Sequence, residues 1–344
     1  MIKRTFIAAT ILTLSLSTSL SGAQTFNNHA FLWTATGGLQ DLGVPAGWTD
    51  SLALAISKSG KVVGHLSNST TGNATAAVWT ATSGWRQLKG GLSSQYSVAT
   101  GINASGQIVG VTYTTGTTQH AFLWTLAGGM QDLGTLGGSF SAAYGINRLG
   151  QVVGQSTTAT GSYHAFEWTL GGGMQDLGAL DVGANSGSVA FAVNDQGVVA
   201  GNSVGQQGSP VAVVWQGGKI QILSGLGAQS EVRVAPASGA TAINNLQQVV
   251  GSYTTSTSGY AFLWTRLGGV QDLGVLPGAS SSAAVGINAS GEVVGSDLMS
   301  DGSQQGFIWT SAGGMQALGT LGGPNSVASA INDSGQVVGY SDVQ

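Results

Sequence analysis

The chain has 344 residues, 42% of them hydrophobic and only 7% charged, with 57 glycines and no cysteine. Without cysteine there are no disulfides, thiolate metal sites or cysteine nucleophile. A formal net charge of −4 leaves too few cations to neutralise a run of phosphates, which excludes nucleic acid as a partner. The glycines recur at fixed places between apolar runs, so they mark turns and not a disordered tail.

Taken in chain order, the first element is a targeting segment. Met1-Ile2-Lys3-Arg4 is a positive n-region, and Thr5 to Leu20 is an apolar stretch broken only by Ser and Thr. Ser21-Gly22-Ala23 puts small residues at the −3 and −1 positions of a cut after Ala23. Residues 1–23 are therefore expected to be a signal peptide, and 24–344 a single domain that is secreted or held in the cell envelope. The apolar run is interrupted and short for an anchor, and no later segment is apolar for long enough to span a bilayer. Gln24 follows the cut, so no lipid-bearing cysteine is made.

From residue 28 onward the chain repeats. The clearest unit runs His120-Ala121-Phe122-Leu123-Trp124-Thr125, then Gly128-Gly129-Met130-Gln131-Asp132-Leu133-Gly134, then Ala143-Tyr144-Gly145-Ile146-Asn147 and Gly150-Gln151-Val152-Val153-Gly154. Seven of the nine tryptophans (Trp33, Trp79, Trp124, Trp168, Trp215, Trp264 and Trp309) stand in register, 44–49 residues apart. Matching turn residues are Ser57, Asn103, Asn147, Asn194, Asn244, Asn288 and Asn332. Within a unit the spacing predicts four strands: Ala142 to Ile146, one from Gln151 after an Asn-x-x-Gly turn, His164 to Thr169, and Met174 to Leu177 after a Gly-Gly turn.

Four strands per 40–50 residues is the period of a propeller blade. The fold expected is an all-β, seven-bladed β-propeller of four-stranded blades. The chain begins with third and fourth strands and ends with first and second strands. The last blade is thus expected to close by pairing residues of about 29–43 with about 327–341, which leaves no raw sheet edge. The tryptophans are expected to anchor the core.

The recurring His-Ala-Phe-Leu-Trp, Gly-Gly-Met-Gln-Asp-Leu-Gly and Ile-Asn-x-x-Gly-Gln-Val-Val-Gly resemble the HAF-repeat family of extracellular repeat proteins. The resemblance covers nearly all of the chain after residue 24. It is closest at Trp124, Trp168, Trp264 and Trp309, and weakest at Trp79 and Trp215, where Ala76-Ala77-Val78 and Ala212-Val213-Val214 replace the opening. It implies export and no particular activity.

No catalytic, cofactor or metal motif stands above the repeat. His29, His120 and His164 share one repeat position, and Asp41, Asp132, Asp176 and Asp272 another. The histidines are expected to pack at strand edges instead of ringing a metal. The aspartates are expected to be solvated and to discourage edge pairing. Asn68 and Asn73 open Asn-x-Thr/Ser sequons in a connection, and are better placed for glycosylation than the turn asparagines.

Length varies mainly between each Trp and the next turn residue (23–29 residues), and much less from turn residue to Trp (20–22). Variable loops on a rigid scaffold are where binding resides. The off-register residues Trp48, Asp50, Tyr96, Phe140, Asp181, Glu231 and Arg233, with an insertion from Ser224 to Ala240, are therefore the candidate ligand site. The expectation is a monomeric, non-enzymatic binding propeller that contacts a glycan or an extracellular protein without a cofactor. The alternatives are a carbohydrate-active enzyme with its site over the central channel, and a structural envelope component.

Overall fold

The computed structural model describes residues 27–90, 92, 96–114, 118–181, 187–205, 208–223 and 237–343. The expected signal peptide lies outside the described residues. Those described form 28 strands and no helix.

The ends of the chain share one sheet. β1 (Asn28–Thr34) and β2 (Gly38–Asp41) join β27 (Gly322–Ile331) and β28 (Val337–Val343) in the order β2-β1-β28-β27. The antiparallel seam runs from Asn28↔Asp342 to Trp33↔Val337. We call this the terminal sheet. Sheet I is β3 (Asp50–Ile56), β4 (Val62–Asn68), β5 (Asn73–Thr80) and β6 (Gly84–Gln87). Sheet II is β7 (Ser97–Ile102), β8 (Ile108–Tyr113), β9 (Gln119–Thr125) and β10 (Gly129–Asp132). Sheet III is β11 (Gly137–Ile146), β12 (Val152–Thr158), β13 (Tyr163–Thr169) and β14 (Gly173–Gly178). Sheet IV is β15 (Ser188–Val193), β16 (Val199–Val204), β17 (Pro210–Gln216) and β18 (Lys219–Ile222). Sheet V is β19 (Ser238–Ile243), β20 (Val249–Thr254), β21 (Gly259–Thr265) and β22 (Gly269–Asp272). Sheet VI is β23 (Ala279–Ile287), β24 (Val293–Met299), β25 (Gln304–Thr310) and β26 (Gly314–Ala317). Each is an antiparallel meander, and one parallel pair, Phe140↔Gln119, links sheets II and III. The short fourth strands are largely exposed, as suits an outer edge.

Apolar layers fill the gaps between successive sheets. Val63 and Ala76 of sheet I meet Ala99 and Phe122 of sheet II, and Val250 and Leu263 of sheet V meet Ala284 and Phe307 of sheet VI. The terminal sheet is packed on both sides: Phe31 and Val337 against Val294 and Ile308, and Ala30 and Val338 against Ala53 and Trp79. The deepest anchor is not the tryptophan. Five register tryptophans (Trp79, Trp168, Trp215, Trp264 and Trp309) are buried as expected, but Phe31, Phe122, Phe166, Phe262 and Phe307 are wholly buried, and Trp33 and Trp124 are only half-buried. Trp falls two residues later in the strand, nearer the turns, where Trp124 Nε1 reaches the Lys89 carbonyl (2.9 Å).

The phenylalanine needs a partner with no side chain. In the second strand of each sheet an apolar pair, Val-Val in five of the seven, is followed by Gly, and a Cβ on Gly154 would lie 2.0 Å from the Ala142 carbonyl oxygen and 2.8 Å from the Phe166 ring. Gly110, Gly295 and Gly339 repeat this arrangement. The close approach accompanies a register shift in the first strand, between Ala143 and Gly145 in sheet III, which leaves Tyr144 as the extra residue.

Two polar belts tie the sheets together. The turn asparagines hand an amide hydrogen to the next sheet: Asn103 Nδ2 to Asn147 O (3.0 Å), Asn147 to Asn194 O (2.9 Å), and so on to Asn332, which reaches Ser57 O (3.1 Å) across the chain ends. A buried serine opening each first strand accepts an amide from the preceding sheet, as Ser51 Oγ does from Ala30 N (2.9 Å) and Ser326 Oγ from Gly306 N (3.0 Å).

Gly154→Ala should therefore cost more than about 3 kcal/mol or abolish folding, because backbone and ring would both have to shift. Gly171→Ala, at a site with nothing within 4 Å, should change stability by less than about 1 kcal/mol. Thermal melts of the two variants provide the check.

Candidate functional site

The repeat histidines and aspartates are paired within their own sheets. His29 Nδ1 donates to Asp41 Oδ2, His120 to Asp132 and His164 to Asp176, each at 2.8 Å. In sheet V Tyr253 OH takes the histidine's part and donates to Asp272 (2.9 Å). The other aspartate oxygen accepts an amide two residues on, as Asp132 Oδ1 does from Gly134 N (2.8 Å). These aspartates are exposed but not merely solvated, since they lock the turn that ends the outer strand. No group of three or more His, Asp or Glu fit to hold a metal occurs among the described residues.

The off-register residues divide into three groups. Tyr96 and Phe140 come together: both, with Tyr144, pack over Val98, Val111 and Ala142 between sheets II and III. Tyr96 meets Tyr113 at a tilt of 58° (centroids 5.2 Å apart), Phe140 meets Tyr163 edge-on (5.8 Å), and Tyr144 leans on Phe191 of sheet IV (5.4 Å). The result is an arc of six rings across three neighbouring sheets, with Tyr163 exposed at 41%. Burial holds the Tyr144 phenol up at about 12, with the Tyr163 and Tyr96 phenols pushing the same way, and burial also raises Tyr96. Both therefore remain hydrogen-bond donors at neutral pH.

The second group stands apart from the arc. Trp48 is half-buried on the connection from β2 to β3, and Asp181 is half-buried just after β14. Asp50 serves the fold. Its Oδ1 accepts Asn28 N (3.0 Å) and its Oδ2 accepts Thr49 Oγ1 (2.5 Å), clipping β3 to the first strand of the terminal sheet. It also faces His65, whose pKa burial lowers to about 4 despite the carboxylate, and whose Nδ1 is buried without a hydrogen-bond partner. The third group, Glu231 and Arg233, lies outside the described residues with most of the insertion. Of the sequons, Asn68 spends its side-chain oxygen on Thr70 N and Thr71 N (3.0 and 3.1 Å) and its amide on Gly47 O (2.9 Å), while Asn73 is exposed.

Tyr113, Tyr144, Tyr163 and Phe191 escaped the sequence reading. For two of them a signal existed. Tyr144 and Phe191 occupy the bulge column Leu54, Thr100, Tyr144, Phe191, Thr241, Val285, Ser329, which varies inside an otherwise constant Ser-x-Ala-x-Gly/Ala-Ile/Val-Asn/Ser strand.

No protein-family model matches the chain, and no curated protein matches it. Among solved structures, it is similar to the β-propeller domain of the Trilobed protease from Pyrococcus furiosus, described as having an open velcro topology. The identity is 12% and the TM-score 0.52, over 78% of this chain and 84% of that one. It is also similar to TolB from Acinetobacter baumannii at 13% identity and a TM-score of 0.50, over 83% of this chain. The match spans 65% of that TolB chain. The fold is a β-propeller.

One buried carboxylate departs from the propeller's repeat. Ser156, Ser203 and Ser341 each accept the amide of a leucine in an inter-sheet connection, and Asp297 takes this place in sheet VI, accepting Leu276 N (2.5 Å). Its Oδ1 has no hydrogen-bond partner, and burial raises its pKa to about 6. An acid whose folded pKa lies above its unfolded value binds protons more tightly when folded. Stability is then lost as pH rises from about 4 through about 6. Asp297→Ser should stabilise the protein above pH 6 by on the order of 1–2 kcal/mol after allowance for solvent screening, with the gain vanishing near pH 4. Denaturant titrations at both pH values test this.

Proposed function

We propose that this protein is a secreted or envelope-held binding propeller of seven blades, a member of the HAF-repeat family. On this reading the seam of β1 on β28 closes the ring after a signal peptide of residues 1–23 is removed. Its ligand is a glycan or the glycan-bearing surface of an extracellular protein, held where the connections between sheets vary in length. The observation that carries the reading is the arc of six aromatic rings across sheets II, III and IV. Aromatic faces with hydroxyl edges suit sugar rings, since the C–H face of a sugar stacks on the ring while its hydroxyls find donors and acceptors at the rim.

Several features support this use. The rings are held by their neighbours and need little ordering on binding. Trp48 adds a further half-buried aromatic on a connection. A glycan-array screen of the chain from Gln24, beside Tyr163→Ala and Trp48→Ala variants, is the direct test. Expected is saturable binding that Tyr163→Ala weakens about tenfold, the loss of one stacked ring. Absence of binding to any glycan sinks the sugar reading. Binding that neither variant weakens removes the site from these residues.

A further inference from the structure

The opposite end of the propeller carries a second kind of surface. The five most exposed large apolar side chains among the described residues are all leucines: Leu126 (91%), Leu149 (66%), Leu170 (84%), Leu246 (70%) and Leu267 (101%). Leu126, Leu170 and Leu267 tip the turns between third and fourth strands of sheets II, III and V. Leu149 and Leu246 tip the first turns of sheets III and V. In an antiparallel meander both kinds of turn lie at the same end of the sheet, and the asparagine belt fixes the first turns of successive sheets on a common face. The five leucines therefore project from one face, over the arc from sheet II to sheet V.

Cations share that face. Arg148 stands beside Leu149, Arg266 beside Leu267, and Lys219 at the turn of sheet IV between them. Arg148 is itself paired with Asp195 (3.5 Å), so Lys219 and Arg266 are the cations that matter here. Between sheets IV and V a small crevice opens at this end, lined by Val214, Ile243 and Trp264 as well as by Gln216, Gln247 and Arg266.

Gln247 marks the crevice as more than loop variation. It has φ +59, and it is the single non-glycine residue with positive φ among those described. Glycine holds the equivalent place in the other first turns, at Gly60, Gly106, Gly150, Gly197, Gly291 and Gly335. A side chain is kept here against a left-handed backbone that disfavours it. Its amide donates to Gln196 Oε1 (2.8 Å) at the mouth beside Arg266.

We propose that this turn face docks on a lipid bilayer bearing anionic phosphate headgroups. The leucines insert between acyl chains, and Arg266 pairs at the surface with a headgroup phosphate. The pattern favours lipid over a protein partner. Single leucines on separate hairpins would each need a socket on a protein, whereas a bilayer accepts isolated apolar side chains at any lateral position. Arginine and lysine interleaved with them complement an anionic surface. Docked in this way, the propeller turns its aromatic arc away from the membrane.

The test is vesicle flotation of the chain from Gln24, which contains every described strand. It compares phosphatidylcholine vesicles with vesicles that also hold phosphatidylglycerol. Expected is partitioning onto the phosphatidylglycerol vesicles that falls at least about tenfold in Leu170→Ser/Leu267→Ser, both exposed tips whose change leaves the melting temperature unaltered. Arg266→Gln should erase the preference for phosphatidylglycerol while weaker binding to phosphatidylcholine remains. Gln247→Gly should raise the melting temperature and lower phosphatidylglycerol binding. No flotation with either vesicle, or flotation unchanged by the leucine pair, overturns the proposal. So does a wild-type oligomer, seen by light scattering, that the leucine pair dissolves, because the leucines would then serve a second copy of the chain. Glycan binding reads out the opposite face and is independent of each outcome.

Discussion

The structure depends on one hydroxyl per sheet. The outer strand is only four residues long in most sheets, so the third strand beside it runs on past its last partner. The amide of the alanine in that overhang (Ala121 in sheet II) has no ladder partner on the outer side, and buried without an acceptor it would cost free energy. Ser141, the buried serine of the next sheet, reaches into the gap. Its Oγ accepts Ala121 N (2.8 Å) and donates to Gly134 O (2.5 Å), bridging two strands that have parted. Ser51, Ser188 and Ser282 make the same double contact. A sheet of this kind is incomplete until its neighbour is in place, so neighbouring sheets specify one another. At the seam Gly306 N finds Ser326 and Ala30 N finds Ser51, which makes the terminal sheet a full participant.

This arrangement explains what the sequence discloses and what it hides. The tryptophan register, the Asn-x-x-Gly turns and the half-units at the two ends are local patterns, and they suffice for the strands and for the terminal seam. The inter-sheet contacts are long-range and disclose themselves only as unexplained constancy. Ser51, Ser97, Ser141, Ser188, Ser238, Ser282 and Ser326 never vary, yet a buried serine looks like any polar loop residue until the amide it serves is seen. The weight given to tryptophan has a similar origin. It is the most conspicuous residue of the motif, but the glycine opposite decides which ring lies deepest, and that glycine faces phenylalanine.

The candidate site was only partly legible for a related reason. Tyr96 and Phe140 stood out because they lie off the repeat, and the structure unites them. Asp50 stood out equally and turned out to be a clip between chain segments. Off-register position alone does not separate a ligand contact from a local repair. The bulge residues Tyr144 and Phe191 sit in register, hidden in a column whose neighbours are constant. At a bulge the extra residue is released from the ladder, so its identity is free to vary without cost to the pairing. The bulge column of an otherwise largely constant strand is thus a place where this architecture changes chemistry without changing fold.

The same reasoning separates the two ends of the molecule. At the loop end, change is tolerated because connections differ in length. At the turn end the asparagine belt demands a fixed loop, and glycine is the residue that a left-handed position wants. Gln247 breaks that rule, at a cost on the order of 1–2 kcal/mol of backbone strain, and next to it Leu246 stands exposed where most other first turns carry Ser or Gln. Neither residue is needed for the hydrogen bond from Asn244 to Asn288 O that continues the belt (3.0 Å). The Gln247 side chain instead donates to Gln196 Oε1 on the first turn of sheet IV (2.8 Å), and the strained turn lies where Arg266 and a small crevice meet exposed apolar tips. A residue that opposes its local backbone preference marks a place where a side chain is wanted, and among the described residues that place lies on the arc that carries the leucines.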